Sequence, residues 1–125
     1  MTTPTMISKL EPNQIFVFGS NTSGRHGRGA ALQAMNDFGA VYGIGEGITG
    51  QCYAFPTLDG ELQQREEWEL EESIIEFILT AKDSPCKQFL LTKVGCGLAG
   101  FTEDYMRSLF AKFVLPENII LPEGW

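Results

Sequence analysis

The residues with the most chemical content gather in two glycine-rich runs. The first, Gly24-Arg25-His26-Gly27-Arg28-Gly29-Ala30-Ala31, leads straight into the good helix formers Leu32, Gln33, Ala34 and Met35. The unpaired N–H groups that open a helix form an anion site, and Arg25 and Arg28 can add charge-assisted bonds to a phosphate. The second run, Gly95-Cys96-Gly97-Leu98-Ala99-Gly100-Phe101, is apolar as well as flexible. Its amides can close over a diphosphate while Phe101 packs against a base or ribose. Taken singly, each loop is as well explained by tight turns, solvated arginines and a Phe101 in the core. Two such loops at equivalent strand ends tilt the balance toward a ligand, because glycine costs stability wherever its freedom is not needed. Neither run is a Walker A loop, which requires Gly-Lys-Ser/Thr, and neither has dinucleotide-fingerprint spacing.

Single residues add candidates of lower specificity. Asn21 directly follows a strand, and its carboxamide both donates and accepts, which suits a ribose diol or a structured water. An Asn in a turn is more often a turn former. His26 is the sole histidine, an acid or base near neutral pH in one reading and an ordinary hydrogen-bonding residue in the other. Asn21 and His26 are thus the two weak candidates for a catalytic role. Cys96 stands between glycines with no base identifiable beside it, so a small packing residue is the better reading. The glutamates from Glu66 to Glu72 read as a solvated helix face.

Elements that would position these residues follow from the pattern. Ile15-Phe16-Val17-Phe18 reads as a buried strand that ends at Gly19-Ser20-Asn21, Cys52-Tyr53-Ala54-Phe55 as a strand stopped by Pro56-Thr57, and Phe89 to Thr92 with Val94 as a central strand. Ile119 to Leu121 is a last short strand. The stripe Leu70, Ile74, Phe77, Ile78 and Ala81 predicts an amphipathic helix over 68–81 with an acidic start, and Thr102 predicts the beginning of another through Phe113. Strands alternating with helices imply an α/β layer architecture: a single three-layer domain over residues 1–125, with a mixed sheet and helices on both faces. Ligands in such sheets bind outside the carboxyl ends of the strands, where three unusual loops fall: Gly19 to Gly29, Pro56-Thr57, and Gly95 to Gly100.

Length and charge bound the rest. With 125 residues there is one core and one site to seek. A net charge of -7 removes the phosphate-neutralising surface that non-specific nucleic-acid binding needs. Nucleic acid is therefore a poor partner, whereas a small phosphorylated ligand can still be held by amides and a few well-placed cations. Three cysteines without CxxC spacing and one histidine predict no disulfide framework, no metal site and no resident cofactor. No apolar run has the length of a membrane span, and the first residues lack the pattern of a signal peptide, so a cytoplasmic location is expected.

Together, Phe18-Gly19-Ser20-Asn21, the 24–31 loop, Tyr42-Gly43 with Gly45 and Gly47, Tyr53-Ala54-Phe55-Pro56-Thr57 and Gly95 to Gly100 resemble a little-characterised family of phage-associated and bacterial proteins. More distantly the chain is similar to the macrodomain fold, which binds ADP-ribose and its relatives. The resemblance implies that Asn21 meets the distal ribose, that Gly27, Gly29 and Ala30 hold phosphate, and that Gly95, Cys96, Gly97, Leu98, Ala99 and Gly100 close over the diphosphate. With Gly19, Ser20, Arg25, His26, Pro56, Thr57 and Phe101, these make up the expected ligand-binding set. Members of the hydrolytic branch carry an Asp after Gly-Cys-Gly-Leu, where this chain has Ala99, so the resemblance implies binding more than hydrolysis. The alternatives are an ADP-ribosyl hydrolase, or a small protein that inhibits a host partner through the acidic stretch Glu61 to Glu76.

Overall fold

Alternation of apolar residues along the strands decides the layering. In the computed structural model, which describes residues 1–125, the chain runs β1 (Gln14–Asn21), α1 (Gly29–Asp37), β2 (Gly47–Thr49), β3 (Cys52–Leu58), α2 (Glu67–Asp83), β4 (Gln88–Leu91), α3 (Glu103–Phe110) and β5 (Ile119–Ile120). The strands form one sheet in the order β2-β3-β1-β4-β5, parallel except for the antiparallel edge strand β2. Because successive side chains point to opposite faces, Ile15 and Val17 join Tyr53, Phe55, Phe89 and Leu91 beneath α2 and α3. Phe16 and Phe18 join Cys52, Ala54 and Leu90 beneath Ala31 and Ala34 of α1. The result is a three-layer α/β domain with a core on each face of a mixed sheet.

Local chemistry sets the helix ends. Thr102 Oγ1 accepts the Tyr105 N–H at 3.1 Å and starts α3, and the Glu66 N–H donates to Glu69 Oε1 at 2.9 Å at the start of α2. Helix α1 differs: Arg28 occupies its N-cap without a side-chain bond, and no acidic residue lies in its first turn.

Helix α3 ends at Phe110 and β4 at Leu91, short of the Phe113 and Val94 expected, and three other elements depart further from the sequence expectation. Strand β1 continues through Gly19-Ser20-Asn21 instead of ending there, because β3 continues beside it to Leu58. Pro56 does not stop β3. The Phe16 N–H donates to Gln51 O, so odd residues of β3 face β1 while even residues face β2, and β2 reaches only Ala54. Pro56 therefore lacks an N–H on a side where no strand would accept it. Strand β2 lies inside the 39–50 glycine tract, for which the sequence predicts no strand.

Connections leave the adjacent strands β1 and β4 in opposite directions. From β1 the chain crosses α1 to reach β3 on one side, and from β4 it crosses α3 to reach β5 on the other. Loops after β1 and β4 thus part over opposite faces, and a crevice opens between them at the carboxyl ends, the switch point of open α/β sheets.

Candidate functional site

A cleft of about 820 Å³ occupies that crevice. Gly19, Ser20 and Asn21 line it from the end of β1, Gly27, Gly29 and Ala30 from the start of α1, and Thr57 from β3. Gly95, Gly97, Leu98 and Ala99 line it from the loop after β4, with Arg25 at the rim. The segments around residues 27 and 97, far apart in sequence, thus share one cavity.

Two kinds of glycine build it. Some let backbones touch: a Cβ on Gly24 would overlap Gly43, and one on Gly45 would overlap the carbonyls of Asn21 and Thr22. These contacts dock the 39–45 segment against the 22–28 loop, with the Gly43 N–H donating to Gly24 O at 2.8 Å. Gly27 and Gly97 are different. Neither has a left-handed backbone, and a Cβ on either would meet nothing within 4 Å. Both are bare over the cavity without a packing reason to be so.

Between them α1 opens onto the cleft. The N–H groups of Gly29, Ala30 and Ala31 donate to no loop or cap carbonyl, and no side chain caps them. These amides carry the positive end of the helix dipole into the cavity. Arg25, Arg28 and Lys93 line the same space, whereas none of the chain's 16 Asp and Glu residues does. Arg28 makes no hydrogen bond or ion pair through its side chain, while Lys93 is shared with Glu103 at 3.0 Å.

Asn21 is a cleft residue whose carboxamide is already engaged. Its Oδ1 accepts the Arg25 N–H at 3.0 Å and the Ser23 hydroxyl at 2.7 Å, and its Nδ2 donates to Arg25 O at 3.0 Å. It shapes the 21–25 turn and retains one N–H for a ligand. Ser20 donates its hydroxyl to Gly45 O, and Thr57 donates to Ser20 O at 3.5 Å.

Five expected ligand contacts lie elsewhere. His26 is fully buried and meets Phe18 and Tyr42 edge-on, at ring-centroid distances of 5.2 and 6.2 Å. Its Nε2 lies 3.1 Å from Val41 O, which can only accept, so that nitrogen carries the proton and Nδ1 is left without a partner. A histidine sealed beneath its own loop cannot orient a water in the cleft, which corrects the reading of His26 as a catalytic candidate. Phe101 stacks on Tyr105 at 5.4 Å and packs against the larger core, so it meets no base in the cleft. With Gly100 it borders a separate shallow groove beside Gln64 and Glu66. Cys96 turns toward the core, where burial, and then Glu103, push its thiol up to about 11. Such a thiol is a poor nucleophile at neutral pH. Pro56 is buried in β3, and only its carbonyl is used, accepting from Arg65 Nη1 at 2.8 Å.

Leu58, Leu62, Thr92, Lys93 and Val94 also line the cleft and are not among the ligand contacts expected from the sequence. Thr92 to Val94 directly follow β4 and Leu58 ends β3, so the rule that ligands meet strand ends would have reached them. No sequence signal marks Leu62. No three His, Cys, Asp or Glu side chains come together to hold a metal ion, and no helix is long and apolar enough to cross a membrane. Comparison with protein-family models, with curated proteins and with solved structures returned no match.

Proposed function

We propose that this chain is a macrodomain-like module that binds ADP-ribose or a related ADP-ribosyl nucleotide, reading or sequestering it. The observation that carries the reading is a local reversal of charge. In a chain of net charge -7, the main cleft holds three cations and no carboxylate, at the open end of an uncapped helix. A binding site for a neutral or cationic ligand gains nothing from that arrangement, whereas a diphosphate meets amides, the helix dipole and Arg28 together. The cavity volume lies in the ordinary range for small-molecule sites. Loops bare at Gly27 and Gly97 give the phosphates access to backbone. Binding is favoured over hydrolysis because Ala99 stands where a carboxylate would be needed, and because His26 is sealed off from the cleft.

Calorimetry with ADP-ribose and NAD tests this. One-to-one binding is expected, weakened in Gly97→Leu, a substitution the backbone accepts and the cavity does not. Heats indistinguishable from dilution for both ligands would end the reading.

A protein partner is favoured by one further observation. Trp68, Ile75 and Leu79 are exposed along the outer line of α2, flanked by Glu72 and Glu76. An exposed tryptophan in an acidic surround suits a partner whose apolar patch is ringed by Lys and Arg. Under this reading a host protein co-purifies through Trp68 while nucleotides leave the melting temperature unchanged; co-purification undiminished in Trp68→Ala, or a rise in melting temperature with ADP-ribose, would dismiss it.

A further inference from the structure

Leu62 is the single non-glycine residue with a left-handed backbone, at φ 63°. That conformation crowds the Cβ of an L-residue against the following carbonyl, and it persists only where surroundings enforce it. The enforcement is visible in the 59–64 turn. Asp59 Oδ1 accepts the N–H groups of Glu61 at 2.8 Å and Gln63 at 2.9 Å, and the Asp59 N–H donates to Gln63 O at 2.8 Å. The locked turn is tied to both glycine loops. Arg25 Nη2 donates to Gly60 O at 2.6 Å, and Gln64 Nε2 donates to Ala99 O at 2.8 Å.

These ties carry Leu62 to the wall of the cleft, which Leu98 of the second glycine loop also lines. Both side chains are exposed there, Leu62 by 52% and Leu98 by 72%. Neither contributes much to the folded chain alone, and holding Leu62 in place costs backbone strain. A cavity that spends its polar and cationic groups on phosphate has in these two residues its large exposed apolar side chains.

We propose that Leu62 and Leu98 are the specificity-determining jaws of the cleft, gripping a flat, weakly polar ring of the ligand while the α1 amides take its phosphates. The inference rests on the nucleotide-binding reading above and adds to it: the pair selects a nucleotide over a bare diphosphate. The 59–64 turn, anchored through Arg25 and Gln64, sets the gap between the jaws.

Leu62→Gly and Leu98→Ala test the pair, with calorimetry against ADP-ribose and against inorganic pyrophosphate. Loss of one ring contact is expected to weaken ADP-ribose binding about tenfold in each variant and to leave pyrophosphate binding unchanged. Leu62→Gly is also expected to melt no lower than the parent, because glycine relieves the left-handed strain while removing the side chain. Wild-type affinity for ADP-ribose in both variants overturns the jaws and leaves the nucleotide reading standing. Equal losses for ADP-ribose and pyrophosphate also overturn the jaws, since the leucines then act only through the shape of the loops. A parent protein that binds neither probe overturns both readings together.

Discussion

Placing a negative charge where the phosphate is expected separates binding from folding. Gly27 is the position of choice: it lines the cleft two residues before α1, its backbone is not left-handed, and a Cβ there meets nothing within 4 Å. Gly27→Glu sets a carboxylate beside the unpartnered amides of Gly29, Ala30 and Ala31 and beside Arg28. For the fold this is favourable, because an acidic group near an uncapped helix N-terminus stabilises by about 0.3–1 kcal/mol. That corresponds to a rise in melting temperature of about 1–4 °C for a domain of this size. For the ligand the same charge is a competitor. Two unit charges about 4 Å apart repel by about 1 kcal/mol in bulk water and about 4 kcal/mol at a protein surface. Because a glutamate side chain can swing away from the guest and keep part of its water, a penalty of about 2 kcal/mol, or about thirtyfold in affinity, is expected. Calorimetry with ADP-ribose at low and high salt reads the effect, and Gly27→Gln controls for bulk. The variant should fold more firmly and bind more weakly, with the loss shrinking as salt rises. Equal losses in the Glu and Gln variants, or none in either, would refute the electrostatic argument.

Two other perturbations test the assignment of roles. His26→Ala removes a fully buried ring and its bond to Val41 and is expected to destabilise by about 2–4 kcal/mol in urea titration; an unchanged midpoint would contradict its part in holding the loop. Burial pushes the Cys52 thiol up to about 12 and the Cys96 thiol to about 11, and it raises Tyr53 as well, with Glu46 adding to the effect. These acids keep their protons in the folded chain above the pH at which the unfolded chain releases them. Stability should therefore be level below about pH 9 and fall from there toward pH 12. Urea midpoints across that range in the parent and in Cys52→Ala read the slope, which should be shallower in the variant.

Much of the fold could be read from local patterns, because its main elements are bound to a face. The stripe through Leu70, Ile74 and Phe77 and the run Ile15 to Phe18 are dictated by burial, which periodicity reports directly. What escaped depends on partners distant in sequence. Gly47-Ile48-Thr49 becomes a strand only because Tyr53 pairs with Ile48, and Pro56 stays in β3 only because β2 is short. Within the site, the glycines of residues 27–29 and 95–97 gave the position of the cleft, since bare backbone after a strand is itself the signal. His26 misled because chemical versatility says nothing about direction. Its exposed neighbours Arg25 and Gly27 give no hint that the 39–45 segment folds over the ring. Leu62 was invisible for another reason: its left-handed turn is imposed by the Asp59 carboxylate and not by the residue type expected there.

Nucleotide binding here requires that the amides that open α1 receive an anionic guest. Titrating the isotope-labelled protein with ADP-ribose while following backbone amide resonances reads this directly. Saturable shifts are predicted at Gly29, Ala30, Ala31 and Gly97, with Ile119 and Ile120 at the far edge of the sheet unmoved. Shifts confined to the outer line of α2, or none at any concentration, would contradict it.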